Sequence, residues 1–140
     1  MPVPYFCVVQ LKQKTMRKID PKKLSVQERV EKLNDMIVGG HILEAFEKFY
    51  ADDVIRQKND CEKIVGKNAC RLQEENLVTG ITAFRKAIVK KVIIGDKISV
   101  VEWEFDYIHE DIGEQKYSHI TLQKWNCDGQ IISETIYNNN

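Results

Sequence analysis

The period of the apolar positions changes near residue 80. Upstream, hydrophobic residues return every three or four positions, as on one face of a helix. Downstream they alternate within short runs rich in Val, Ile, Thr and aromatics, as in strands. The first helix is expected to start at Ser25-Val26-Gln27-Glu28, an S-x-x-E pattern in which hydroxyl and carboxylate each satisfy a free amide. Val26, Val30, Leu33 and Ile37 continue it to Gly39-Gly40. A second helix fits residues 41 to 50, with Ile42, Leu43, Phe46, Phe49 and Tyr50 on one face, and Asp52-Asp53 are expected to stop it in a turn before a short extended piece at Val54-Ile55. After a polar loop, residues 66 to 79 read as a third helix with Ala69, Leu72, Gln73, Asn76 and Leu77 along one side.

Four strands follow, over residues 82 to 95, 97 to 109, 116 to 125 and 130 to 138, separated by turn signals at Gly95-Asp96, at 111 to 114 and at Asp128-Gly129. Short turns make neighbours antiparallel, so the fold class is α+β, three helices covering one face of an antiparallel sheet. A two-residue turn at Asp128-Gly129 pairs Cys127 with Gln130 and, counting outward, sets Trp125 opposite Ile132, Gln123 opposite Glu134, Thr121 opposite Ile136 and His119 opposite Asn138. Tyr117, His119, Thr121, Gln123 and Trp125 then share a face with Ile132, Glu134 and Ile136. On the strand before, Trp103, Phe105, Tyr107 and His109 alternate with Glu102, Glu104 and Asp106. Burying the aromatics removes apolar area from water, whereas burying three carboxylates together is costly, so the aromatics are expected inside. The strand at 82 to 94 mixes apolar and basic residues on both faces, and its periodicity decides nothing.

A chain of 140 residues suits one domain that buries roughly two thirds of its unfolded surface. No apolar stretch reaches the ~18 residues of a membrane helix. The 21 basic residues balance 21 acidic ones, so there is no net field to attract nucleic acid or an anionic membrane. The basic excess is local: residues 1 to 24 carry six Lys or Arg against Asp20. Residues 1–20 are therefore expected to be a solvated extension, with an interaction arm as the alternative, ahead of a domain at 21–140. YFCVV is too short for a secretory core, so no export signal and a cytoplasmic location are expected. Cys7, Cys61, Cys70 and Cys127 form no C-x-x-C pair, the three histidines are dispersed, and no nucleotide-binding glycine motif occurs. No metal and no cofactor are expected.

With FYADDV at the end of the second helix and W-x-x-D-G-Q-I in the last hairpin, the chain from about 22 to 138 resembles the NTF2-like superfamily, its SnoaL-like (polyketide cyclase and ketosteroid isomerase-like) branch in particular. The resemblance implies a cone, in which helices and curved sheet enclose a small, largely apolar ligand, and a homodimer through the outer sheet face, here Ile98, Val100, Ile120 and Leu122. The isomerases' tyrosine and two aspartates fall on Asn34, on about Lys58 and on Thr121. An amide, an ammonium and a neutral hydroxyl cannot replace that machinery, so typical ketosteroid isomerisation is not expected.

The candidate catalytic residues are Glu134 and His119. A carboxylate among Trp125, Ile132 and Ile136 either has a pKa raised toward proton transfer, held by Gln123, or is ion-paired with a Lys or Arg. His119 titrates near neutrality, either as an acid-base group or as a hydrogen-bonded structural histidine. About four residues of strand, roughly 13 Å, separate the two, so they are not a dyad. The candidate ligand-binding residues are Tyr50, Asn76, Trp103, Phe105, Tyr107, Tyr117, Thr121, Gln123, Trp125, Ile132 and Ile136, the tryptophans serving as stacking walls or as core. His41 and His109, near element ends, are expected at the surface. The function expected is binding of a small apolar or aromatic metabolite, with cofactor-independent proton transfer at a carbonyl or alkene carbon. The alternatives are a noncatalytic binding or interaction module and a structural dimer with a filled core.

Overall fold

The structure is a computed structural model that describes residues 24–138. The expectations for residues 1–20, the domain start at 21 and Cys7 lie outside the described residues. Helix α1 (Val26–Val38) begins where the capping box places it: the Glu28 amide donates to Ser25 Oγ at 3.2 Å and the Ser25 amide to Glu28 Oε1 at 3.0 Å. Val30 and Leu33 turn inward, and Gly40 supplies the left-handed conformation after the helix, at φ +86°. Helix α2 (Ile42–Phe49) buries Ala45, Phe46 and Phe49.

The Asp52-Asp53 step is not a turn. Strand β1 (Tyr50–Lys58) follows α2 directly and runs through both acids, which are exposed. Its pairing with β6 (Ile131–Asn138) shifts register between Tyr50 and Ile55. That irregularity lets two adjacent acids face out while Ala51 and Val54 on either side stay buried. The β1–β6 pairing is parallel, so the sheet is mixed where antiparallel pairing throughout was expected. A short strand β2 (Ile64–Val65) closes one edge at the end of what reads as a polar loop, pairing with Ile55 and Arg56.

Helix α3 (Lys67–Thr79) is rotated from the expected face. Cys70 is fully buried, while Leu72 and Asn76 are exposed. The leucines suggested one side. The side that packs is set by Cys70, whose thiol approaches the Ile64 carbonyl at 3.6 Å, and by Glu74, which meets a buried arginine.

Strands β3 (Ile81–Gly95), β4 (Ile98–His109) and β5 (Gly113–Trp125) complete a six-stranded sheet in the order β2-β1-β6-β5-β4-β3. Against β4, strand β3 shifts register at three places. Its core-packing residues are Phe84, Ala87, Val89, Val92 and Ile94, spaced alternately by three and two, so no single period could reveal its inner face. On β4, Trp103, Tyr107 and His109 are buried, and Asp106 pairs with Arg85 across the neighbouring strand. His109 was expected at the surface. It is buried because it packs on Gly80, where an added Cβ would lie 2.2 Å from His109 Nε2.

The last hairpin turns differently and recovers its register. The Gly129 amide donates to the Asn126 carbonyl at 3.1 Å, and Asn126 Oδ1 accepts from the amides of Asp128 and Gln130. With Gly129 at φ +77° this is a three-residue loop, not a two-residue one. Trp125 therefore pairs with Ile131, not Ile132. A register shift just beyond places an extra residue on β6, and Gln123–Glu134, Thr121–Ile136 and His119–Asn138 face each other as counted.

Candidate functional site

A cavity of about 580 Å³ opens between the helices and the inner face of the sheet. Its walls come from α1 and α2 (Leu33, Ile37, Phe46) and from the aromatic residues of β4 and β5. Trp103 stacks on Phe105 with ring centres 5.1 Å apart, and Phe105 meets Tyr117 at 5.8 Å. The hydroxyls of Tyr107 and Tyr117 lie 3.1 Å apart. Burial, and then the bond to Tyr107, pushes the Tyr117 phenol far above its usual range. Asn34, Lys58 and Thr121, where the resembling isomerases carry their working groups, all line this cavity.

Beneath it runs a continuous polar chain. Trp125 Nε1 donates to Ser99 Oγ at 3.0 Å, Ser99 Oγ donates to Gln123 Oε1 at 3.1 Å, and Gln123 Nε2 donates to Glu134 Oε2 at 2.7 Å. The same Glu134 oxygen accepts from the Tyr50 hydroxyl at 2.5 Å, while Oε1 faces Arg56 Nε and Nη2, both at 2.9 Å. Arg56 Nη1 reaches on to Glu74 Oε1 at 2.6 Å. The guanidinium lies 5.4 Å from the ring centre of Phe46 and 5.5 Å from that of Tyr50. Burial disfavours the charge on Arg56, but Glu134 and Glu74 more than offset this and hold its pKa well above the ordinary value. Burial and the neighbouring Glu134 charge push the Tyr50 phenol well upward.

Of the two ways to accommodate Glu134, the ion pair is the one present. Gln123 holds it as expected, but each carboxylate oxygen is already met by two donors. Sequence reasoning missed Arg56 and Glu74. Arg56 stands two residues beyond Val54 on the inner side of β1, and Glu74 one helical turn beyond Cys70, so both had a periodic signal once the strand and the helix face were known.

Ten of the thirteen candidate residues line the cavity: Tyr50, Trp103, Phe105, Tyr107, Tyr117, His119, Thr121, Gln123, Glu134 and Ile136. Three do not. Asn76 is exposed because α3 is rotated. Trp125 is 2% exposed and edge-on to Phe49 at 6.3 Å, on the core side of Ser99. Ile132 sits at the register shift of β6, and Ile131 takes the core position.

Thr121 and His119 both face the cavity with no hydrogen-bond partner among the described residues. Thr121 is 6% exposed and its buried Oγ1 makes no hydrogen bond among the described residues. His119 packs against Phe105 and Tyr117 at ring separations of 5.1 and 5.6 Å, and no hydrogen bond engages its imidazole among the described residues. Burial lowers its pKa to about 4, partly offset by Glu134, so the ring is neutral at pH 7. Between about pH 6.5 and 4 the unfolded chain therefore takes up a proton that the native ring refuses, and stability falls as the medium is acidified. The expected slope approaches about 1.4 kcal/mol per pH unit within that window. Urea titrations of the native chain and of His119→Gln at pH 7, 6 and 5 check it: the variant should lose this part of the slope.

Among the described residues no group of three His, Cys, Asp or Glu converges as a metal site, and no helix is long and apolar enough to cross a membrane. No family model and no curated protein matches the chain. Solved structures do. A Mesorhizobium loti protein put forward as a SnoaL-like polyketide cyclase superposes with a TM-score of 0.71 at 18% identity, over 81% of this chain and 99% of that one. One put forward likewise from Jannaschia sp. CCS1 gives 0.69 at 14% identity, over 89% and 92%. An NTF2-like protein of unknown function from Burkholderia xenovorans LB400 gives 0.64 at 14%, over 82% and 83%. The fold is NTF2-like, α+β with three helices on a six-stranded mixed sheet. Within it, the chain is similar across most of its length to SnoaL-like proteins, as the two motifs suggest.

Proposed function

We propose that this protein binds a small apolar or aromatic molecule in the cavity between α1, α2 and the inner sheet face. The observation that carries this reading is the buried Thr121 hydroxyl, without a hydrogen-bond partner among the described residues, in a cavity lined largely by apolar and aromatic side chains. A buried hydroxyl without a partner costs about 1–3 kcal/mol, and a ligand oxygen or nitrogen at that point removes the cost. The cavity volume lies in the range of small-molecule sites. The Glu134–Arg56 pair forms the rigid base of the site.

The test begins with a thermal-shift screen of small aromatic compounds, followed by titration calorimetry of the hits. Thr121→Val keeps the shape and removes the hydroxyl, and should weaken the hits about tenfold, roughly 1.4 kcal/mol. Unchanged affinities, or no hits across a broad screen, count against the cavity as a ligand site.

A second reading, cofactor-independent chemistry at a carbonyl carbon, is favoured by the unpartnered imidazole of His119. Held neutral, it is a poor base near pH 7 but can donate a hydrogen bond to a developing oxyanion. Glu134, with both oxygens engaged, does not fit the role of base. This reading stands only if a bound compound is converted by the native chain and not by His119→Gln.

A further inference from the structure

The side chains that bring charge to the cavity do not balance. Arg56 and Lys58 stand against Glu62, Glu74 and Glu134. Lys58 and Glu62 are exposed at the rim, one of each sign. Inside, a single guanidinium lies between two carboxylates, leaving one net negative charge. Arg56 directs Nε and Nη2 at Glu134 and Nη1 at Glu74 and Gln73, so it is committed to the protein's own groups and ill placed to receive an anion.

Glu74 is the less satisfied acid. Its Oε1 takes Arg56, while Oε2 has no hydrogen bond among the described residues, and its side chain, 14% exposed, lines the cavity. Glu74 lines the same cavity as the aromatic wall, and the Tyr117 phenol, raised chiefly by burial and by Tyr107, is raised in smaller part by the charge of Glu74. Trp103, Phe105, Tyr117 and Tyr107 form one connected strip there, with successive ring centres 5.1, 5.8 and 6.0 Å apart. The faces of such rings attract cations, and a carboxylate with a free oxygen supplies the counter-charge.

We propose that the cavity selects an organic cation, a small amine or quaternary ammonium compound whose charge rests near Glu74 and whose apolar body lies along Trp103, Phe105 and Tyr117. This rests on the reading of the cavity as a ligand site, and the experiment separates the two. Four naphthalene compounds of similar shape are titrated calorimetrically into the full chain, bearing an aminomethyl, a trimethylammoniomethyl, a hydroxymethyl or a carboxylate group. Chemical shifts of Thr121 and Trp103 report where each one binds.

Both cations should bind at least tenfold tighter than the alcohol, about 1.4 kcal/mol, and the carboxylate should bind most weakly. Glu74→Gln, which keeps an acceptor for Arg56, should reduce the cations' advantage to about twofold or less. In the native chain, raising the pH above the primary amine's own pKa should abolish its advantage and spare that of the quaternary compound, a readout independent of any variant. If alcohol or carboxylate binds in the cavity as tightly as the cations, charge selection is overturned and the ligand site stands. If none of the four moves the Thr121 and Trp103 signals, the cation proposal falls, and the ligand site falls with it where the broad screen also gives no hits.

Discussion

Arg56→Met is expected to lower the unfolding free energy by about 3–5 kcal/mol, because it removes one partner from a buried ion pair and leaves the other charge uncompensated. Glu134 is 4% exposed and would keep only Tyr50 and Gln123 as donors, while Glu74 would lose its partner as well. Methionine approximates the apolar arginine stem but removes the guanidinium that lies over Phe46 and Tyr50, so those cation–π contacts are part of the expected loss. Urea denaturation at pH 7.5 measures this, and a deficit below about 1 kcal/mol would show that the ion pair does not hold this part of the fold. The double variant Arg56→Met, Glu134→Leu should recover only part of the loss, since it removes the uncompensated charge of Glu134 but strands the Tyr50 hydroxyl and the Gln123 amide and still leaves Glu74 without Arg56.

Trp125→Ala should cost a similar amount, about 3–5 kcal/mol, through loss of a fully packed indole. Its ring is edge-on to Phe49, and its Nε1 anchors the polar chain at Ser99. The milder Trp125→Phe keeps much of the apolar area but leaves Ser99 and Gln123 without their anchor, and should cost about 1–3 kcal/mol. Ligand affinity is the second readout. Trp125 lies outside the cavity, so compounds that bind the native chain should bind Trp125→Phe within about threefold. A loss of affinity as large as that of Thr121→Val would return Trp125 to the ligand wall, where its strand parity alone had placed it.

Strand parity placed Gln123, Thr121 and His119 correctly against β6 although the turn it started from was wrong, because the longer loop and the register shift in β6 displace the pairing in opposite directions. Trp125 and Ile132, between the two irregularities, were the residues misplaced. Strand β3 shows the opposite case: three register shifts erase its period, so its two faces cannot be told apart from the chain alone. Asp52-Asp53 read as a turn because acids favour turns, whereas an irregularity in a strand accommodates them equally well.

Local chemistry settled the first two helices. The capping box starts α1, Gly39-Gly40 ends it, and α2 buries the apolar face its spacing defines. The alternation of aromatics with acids settled β4, because hydration free energy alone decides which of those two sets goes inside. The pairing of β1 with β6, the rotation of α3 and the meeting of Arg56 with Glu134 and Glu74 were decided only in three dimensions. Each depends on which distant segments become neighbours: Arg56 and Glu134 lie 78 residues apart. A buried charge is tolerated only where its counter-charge arrives, and no local pattern records that arrival.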